Sequence, residues 1–521
     1  MNYNKIDEEN KENMPILKTK QYYTSIISFI VIFIFFSFFF WQTKTPATEA
    51  QGFTNTLFPH IKTWGMFVGN SVPLNETLWG GSHFDVMGGN MFSSDDLYQI
   101  NPNIEFCAYE NPSEISDGSF SYMEDWAADN GYNMEDQFVH YTEDVTGQIW
   151  NTNVPGYRDS CYLSNSNCNP PATATSLEQA RVLGTYSLCP NCRMQNLENP
   201  QTYLYRIYEQ SSIWQLWPQK YNPSCIYFDA ISIFDYILTK QHIDKTDVYA
   251  GITMDYNHPR MTSLFQWPLD YISSVQSQFN ISMLPIANAS ATMYLVEEPW
   301  KSRFINYYDW VFVEDWLDYN TVSYEASYSS AIAEMTRQSM AGEKRLLRGN
   351  ETYSQASDRA KIFLLGSYYL VNNENTYFNY KKIWNEPEGY DLPYNQWFNA
   401  ISYNIGTPVN NGAEQSDFDG NLNTSEHYEW ATGADPSNPS KTYHILARQY
   451  SNALVLVKFR PSGSSWAAST THDLGGTYRP LNVDGTLGDP ITQVTLRNNE
   501  AAILIPVDTT APEAVDDLSA S

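Results

Sequence analysis

Eight short apolar runs recur along this chain, and several stop abruptly at a polar or ionisable residue. They are "TWGMFVG" (63–69), "HFDVMGG" (83–89), "IEFCAYE" (104–110), "CIYFD" (225–229), "ISMLPIANAS" (281–290), "WVFVEDW" (310–316), "KRLLRG" (344–349) and "NTYFNY" (375–380). Their length and their β-branched and aromatic content suit buried strands. Between them lie segments long enough for crossover helices, among them "PLDYISSVQSQF" (268–279) and "SDRAKIFLLGSYYLVN" (357–372). Eight strands alternating with crossovers predict a (β/α)8 TIM barrel over 61–400, interrupted by a long polar excursion at about 111–222. A ninth strand-like run, "VYAGITMDYNH" (248–258), reads as an insertion after the fourth strand.

The pattern changes near residue 400. "HILARQYSNALVLVKFRP" (444–461), "VTLRNNEAAILIPV" (494–507) and the Gly-rich stretch between them read as antiparallel strands joined by turns. They predict a β-sandwich domain over 401–507. The final segment, "DTTAPEAVDDLSAS" (508–521), is a linker or the opening of a fibronectin type III-like module.

The start of the chain carries a different signal. Residues 1–22 are polar and read as a cytoplasmic tail, and 43–60 read as a linker. Between them "SIISFIVIFIFFSFFFW" (25–41) contains no charge, and Lys18 and Lys20 precede it. The expectation is one N-terminal transmembrane or signal segment over 23–42. Its length favours an uncleaved anchor over a cleaved signal peptide, with the body of the protein outside the cytoplasm or, after cleavage, secreted. Cys161, Cys168, Cys189 and Cys192 lie in one Asn- and Pro-rich region. Their spacing allows a four-thiolate zinc site, but outside the cytoplasm two disulfides are the favoured reading. Cys107 and Cys225, in apolar runs, are read as buried free thiols.

A net charge of −29 argues against nucleic acid as a partner, because phosphate binding draws on Lys and Arg. Aromatic residues make up 15% of the chain. Their combination of apolar face and polar edge suits contact with sugars, though a large aromatic core would use them equally well.

In a (β/α)8 barrel, chemistry sits at the C-terminal ends of the strands. Asp229 ends the fourth run and Glu314 stands near the end of the sixth, so both are candidates for the mouth of the barrel. Two facing carboxyl groups are what glycoside hydrolysis needs, one to attack or stabilise the anomeric carbon and one to protonate the leaving oxygen. A single strand-end Asp can equally be a helix cap, and it is the pairing that favours catalysis. Asn288, Trp64, Asp85 and Glu110 are substrate-binding candidates from the ends of the fifth, first, second and third runs. Asn288 also belongs to an "NAS" glycosylation sequon. Asp315 is carried as a further substrate-binding candidate, although strand alternation turns it away from Glu314 and suits a structural role. Arg348 and Tyr377 are weaker site candidates, and Asp235 reads as structural. Asp255 and His258 have a metal-like spacing too common to claim a metal, and no cofactor is called for. The chain carries no G-x-S-x-G, P-loop or H-E-x-x-H motif.

"CIYFDAISIFDY" (225–236), "LPIANAS" (284–290), "WVFVEDW" and "IFLLGSYYLVNNENTYFNY" (362–380), in this order and followed by the β-domain, resemble the glycosyl-hydrolase-like family fifteen. "QNLENPQTYLYRIYEQ" (195–210) is similar to that family's segment before the fourth strand. The resemblance spans roughly 60–507 and implies a (β/α)8 barrel with a C-terminal β-sandwich, related in fold to retaining glycanases. It implies Asp229 as nucleophile and Glu314 as acid/base. The family's Asp-Asn pair is Asp229-Ala230 here, which removes one hydrogen bond able to orient the nucleophile. The resulting expectation is an extracellular retaining glycoside hydrolase acting on a polysaccharide or oligosaccharide. A non-catalytic cell-surface glycan-binding protein is the alternative, and an adhesive surface protein a more distant one.

Overall fold

The computed structural model describes residues 61–67, 74–89, 97, 101–102, 104–112, 114–138, 181, 192–197, 199, 201–211, 214–215, 224–228, 259–288, 308, 310–340, 344–351, 358–382, 393–409 and 426–507. The N-terminal apolar run, most of the 111–222 excursion, the 248–258 run and the 508–521 tail lie outside them. Among the described residues no helix is long and apolar enough to cross a membrane.

In chain order the first part comprises β1 (Trp64–Phe67), α1 (Leu74–His83), β2 (Val86–Gly89), β3 (Glu105–Glu110), β4 (Glu114–Ile115), α2 (Phe120–Asn130), β5 (Arg193–Met194), α3 (Gln201–Glu209), β6 (Cys225–Phe228), α4 (Pro259–Phe279), β7 (Leu284–Asn288), β8 (Trp310–Asp318), α5 (Ala333–Met340), β9 (Lys344–Glu351), α6 (Asp358–Val371) and β10 (Thr376–Lys382). Eight of these strands form one sheet in the order β1-β2-β3-β6-β7-β8-β9-β10, and every neighbouring pair is parallel. The small antiparallel pair β4–β5 belongs to the excursion and stands apart.

The sheet nearly closes on itself. Among the described residues, β10 and β1 are joined by one bridge, Thr63–Phe378, with the Phe378 amide donating to the Lys62 carbonyl at 2.9 Å. Above that bridge, side-chain amides replace the missing ladder. Asn379 Nδ2 donates to the Trp64 carbonyl at 2.8 Å. The Met66 amide donates to Gln396 Oε1 at 2.9 Å, while Gln396 Nε2 donates to the Met66 carbonyl. Gln396 thus pairs with Met66 as the backbone of a neighbouring strand would, leaving neither polar group orphaned.

Alternation fills the interior. Trp64, Met66, Val86, Cys107, Cys225, Tyr227, Ile286, Trp310, Phe312, Leu346 and Tyr377 form one buried cluster inside the sheet. Phe106, Ala108, Ile226, Phe228, Ala287, Val311, Val313, Leu347 and Phe378, at the intervening positions, pack outward against the helices. The Trp64 ring meets Phe312 edge-on at 4.7 Å and crosses over β2. A Cβ on Gly88 would stand 2.9 Å from Trp64 Cζ3, so only glycine lets the indole lie there.

Cys107 and Cys225 are not free thiols. They are register partners on β3 and β6 and form a disulfide with Cα atoms 4.4 Å apart. Burial in an apolar run had suggested packing alone, but the long excursion returns the chain to the strand next to the one it left. The bond therefore ties off the whole excursion, a sequence separation of 118.

The C-terminal part is a six-stranded antiparallel sheet, β11 (Tyr428–Asp435), β12 (Asn438–Tyr450), β13 (Ala453–Phe459), β14 (Ser469–Pro480), β15 (Ile491–Arg497) and β16 (Glu500–Pro506), in the order β11-β12-β13-β16-β14-β15. β14 pairs with β15 over Ser469–Asp473 and again at Tyr478 after a register shift, and with β16 over Tyr478–Pro480. Ile445, Leu456, Leu474, Val494, Leu496 and Leu504 form a buried cluster of their own on this sheet. The expected sandwich is thus one continuous hydrogen-bonded sheet.

Helix α6 joins the two parts. It is buried on every side from Ile362 to Val371, as a helix apolar all round must be. A Cβ on Gly366 would lie 2.7 Å from that of Ala501, so the helix rests directly on β16. Its terminal carbonyls are met by the sheet. Arg448 Nη1 donates to Tyr369 O and Leu370 O, each at 3.1 Å, and Tyr450 Oη donates to Tyr369 O at 2.7 Å. A cation at a helix C-terminus is favourable for the dipole as well as for the orphan acceptors.

Removing the disulfide should leave the fold intact but less stable. A Cys107→Ala/Cys225→Ala double variant is expected to lose about 5 kcal/mol of unfolding free energy by the chain-entropy relation for a loop of this size, read as a lower urea midpoint.

Candidate active site

The C-terminal end of the barrel carries a ring of polar side chains on the inward positions of successive strands. Asn288 ends β7, inward like Ile286. Glu314 follows Trp310 and Phe312 on β8, Arg348 follows Leu346 on β9, and Asn379 follows Tyr377 on β10. Each is one pleat repeat beyond an apolar residue that fills the interior, so the core gives way to chemistry at the mouth.

Glu314 is the centre of the ring. The pairing of β8 with β9 shifts between Val313 and Leu317, so Glu314 to Trp316 lie in an irregularity of the ladder. Such bulges re-aim side chains and recur beside active sites. Asn288 Nδ2 donates to Glu314 Oε2 at 3.0 Å, and Arg348 Nη1 to Oε1 at 3.1 Å. Asn350 Nδ2 donates to the Glu314 carbonyl at 3.2 Å, fixing the backbone too. The Glu314 side chain retains 35% exposure, whereas that of Arg348 has none. One end of the ion pair therefore belongs to the interior and the other to the mouth.

Arg348 is held on every side. Its Nε donates to Asn379 Oδ1 at 2.8 Å, Nη2 lies 3.4 Å from Met66 Sδ, and the guanidinium stands 5.1 Å from the Phe312 ring centroid. Asn379 in turn donates to Gln396 Oε1 at 2.7 Å. The chain of contacts Asn288–Glu314–Arg348–Asn379–Gln396 so ends on the backbone of β1. A buried cation is tolerable only when paired and bonded in this way.

The other candidates are placed elsewhere. Trp64 is the first residue of β1 and fully buried, at the end opposite Glu314. Asp85 precedes β2 instead of ending it, and its Oδ2 accepts from the Thr63 amide at 2.8 Å and Thr63 Oγ1 at 3.1 Å. It clasps the lower ends of β1 and β2. In "HFDVMGG" the strand begins after the acid, because Asp85 is bound to Thr63 there, and it ends with the run at Gly89. Glu110 does end β3, but it shares the outward parity of Phe106 and Ala108. Its Oε2 accepts from Gln210 Nε2 at 2.6 Å and its Oε1 lies 3.7 Å from Arg206 Nε. Tyr271 Oη on α4 donates to Gln210 Oε1 at 2.8 Å. Burial pushes the Glu110 carboxyl up from its ordinary range, against the pull of Arg206 and the Gln210 amide. This cluster locks the excursion to the barrel wall.

Tyr377 lies inside the barrel against Trp310 at 5.3 Å, a core residue. Asp315 lies in β8, with its side chain outside the described residues. Asp229, Ala230, Asp235, Asp255, His258, Cys161, Cys168 and Cys189 also lie outside them. Cys192 is disulfide-bonded. Among the described residues no three His, Cys, Asp or Glu side chains gather as a metal-ligand set. Asn379 and Gln396 were absent from the sequence candidates. Counting alternate residues from Tyr377 finds Asn379; nothing local marks Gln396, which lies beyond the last barrel strand.

No family model matches the chain, and no curated protein matches it. Among solved structures it is similar to an Anoxybacillus alpha-amylase, with 11% identity, 83% of this chain and 89% of that chain covered, and a TM-score of 0.37. It is similar to an isomaltulose synthase from Erwinia rhapontici NX5, with 10% identity, coverage of 85% and 98%, and a TM-score of 0.43. A family GH13_31 enzyme gives 10% identity, coverage of 86% and 99%, and a TM-score of 0.41. At these identities and scores the likeness assigns neither activity nor site residues.

Asn379 bonds Arg348, the Trp64 carbonyl and Gln396 at once. Asn379→Leu should therefore destabilise the fold by about 3 kcal/mol, since it strands several buried partners, and denaturant unfolding measures it.

Proposed function

We propose that this chain is a glycoside hydrolase that cleaves a polysaccharide or oligosaccharide with retention, using Asp229 and Glu314 as its carboxylate pair. The observation that carries this reading is Glu314 itself. It stands at the mouth end of an eight-stranded parallel barrel, open to solvent, and it is oriented by Asn288 and Arg348. A carboxylate held by two donors but still reachable from outside is prepared for a reacting group, whereas a purely structural acid has no reason to stay accessible.

Asp229 directly follows Phe228, the last residue of β6. Cys225 and Tyr227 face the interior and Ile226 and Phe228 the helix layer, and in the sequence Asp229 is the next residue. β6 and β8 are separated in the sheet by β7 alone. Side chains from the two strands can then converge over the same mouth. In the double displacement one carboxylate attacks the anomeric carbon as the other protonates the departing oxygen, and water completes hydrolysis in a second step. No cofactor takes part. The buried Cys107–Cys225 disulfide and the apolar run at 25–41 support an exported, membrane-anchored or secreted protein.

The test is reducing-end release from a panel of plant, fungal and bacterial polysaccharides by the full chain. Asp229→Asn and Glu314→Gln should each lower turnover by about 10²–10⁴-fold while leaving glycan affinity nearly unchanged. A wild-type protein that binds a glycan from the panel and releases no ends would instead be a surface glycan-binding protein.

A further inference from the structure

We propose that a cleft between the first turn of α6 and the exposed side of β14 and β15 is a second binding site, which takes the carboxylate of an acidic sugar unit.

The cleft has a volume of about 670 Å³ and is lined by Arg359, Ser469, Thr495, Arg497 and Glu500. Local structure explains why these five meet. Along β15 the alternation buries Val494 and Leu496 and exposes Thr495 and Arg497. The register with β14 sets Ser469 opposite Arg497, and Thr471 opposite Thr495. The short turn from β15 to β16 then adds Glu500, whose Oε2 accepts from the Arg497 amide at 2.6 Å. Helix α6 rests on β16 through Gly366 and contributes Arg359 from its first turn.

Both guanidiniums have donors to spare. Arg359 is steadied by its Nε, which donates to Tyr319 Oη at 2.6 Å, and its terminal nitrogens bond nothing among the described residues. The Arg497 guanidinium bonds none of them either. Two uncommitted arginines in one cleft are unexpected in a chain with 59 acidic and 30 basic residues, where carboxylates for pairing are plentiful. Glu500 does not use them up. It lies opposite the buried Lys458 in the register of β13 with β16, so part of its charge is answered from beneath.

The donor set selects the ligand. A guanidinium fork matches the two oxygens of a planar carboxylate, and the cleft carries a surplus of one positive charge, which one such group balances. A dianion would be left facing Glu500. The hydroxyls of Ser469 and Thr495 can donate or accept, and Glu500 accepts, as neighbouring ring hydroxyls require. A uronic acid unit offers both kinds of group. That the carboxylate is carried by a sugar rests on the glycosidase reading; the anion site itself does not. α6 follows the mouth end of β9, so Arg359 lies at the end of the barrel that carries Glu314.

The experiment is calorimetric titration of the full chain bearing Glu314→Gln, so that no turnover competes. The probes are tetramers of galacturonate, glucuronate, mannuronate and guluronate, their carboxyl-reduced neutral counterparts, and a sulfated galactan tetramer. A uronate should bind, its reduced counterpart should bind at least about tenfold more weakly, and affinity should fall as sodium chloride is added. Adding Arg497→Gln, which removes an exposed side chain with no bonds of its own, should weaken uronate binding about tenfold. Arg359→Lys should weaken it too, since lysine keeps the charge but loses the fork. Failure of every uronate to bind would overturn the proposal, as would equal affinity for the reduced tetramers or undiminished binding by Arg497→Gln. Binding of the sulfated tetramer alone would overturn the carboxylate assignment. The glycosidase reading fails separately, if the wild-type chain releases no reducing ends while Arg497-dependent uronate binding persists.

Discussion

A guanidinium with no solvent exposure sits inside the upper barrel, and its need for partners organises what surrounds it. Glu314, Asn379, Met66 and Phe312 surround Arg348 there and offset the cost of burying its charge. Asn379 is also one of the two side chains that close the barrel between β10 and β1, the other being Gln396. Closing the sheet and orienting the carboxylate are thus done by the same amides. A disturbance at the seam would reach Glu314 through two hydrogen bonds.

The C-terminal sheet acts on this arrangement from behind. It packs against α6, which precedes β10 in the chain, and caps the helix end with Arg448 and Tyr450. Each large apolar side chain buried along α6 contributes about 2 kcal/mol, so the helix has little freedom to shift. β10, and with it Asn379, starts from a fixed support. Elsewhere in the barrel the Cys107–Cys225 bond joins β3 and β6, the two strands flanking the excursion.

Much of this was legible from residue order, and the failures have specific causes. Every barrel strand overlaps one of the apolar runs, and five lie wholly inside theirs, whereas β8, β9 and β10 continue two residues further, because a strand buried on both faces is mostly apolar but can turn polar at the mouth. The helix at 357–372 was equally plain, whereas the one expected at 268–279 begins at Pro259 and runs through Pro268. Where each strand starts and ends was not. Asp85 was read as ending its run, but its bonds to Thr63 put it at the start. Glu110 was read towards the mouth, but Arg206 and Gln210, more than ninety positions away, draw it to the outer wall. The disulfide was missed for a related reason: whether two cysteines meet depends on register between strands separated by the whole excursion. Arg348 was visible but undervalued, since its worth lies in Glu314 and Asn379 on other strands.

The central claim is that Asp229 and Glu314 face one another across an open mouth, and the most direct test is their carboxyl-to-carboxyl distance in a crystal structure of the full chain. A retaining pair predicts about 5–5.5 Å. A separation of ~6.5–9.5 Å would contradict retention and indicate inversion through an intervening water. An Asp229 side chain turned outward to the helix layer, as Glu110 is, would contradict the pair itself.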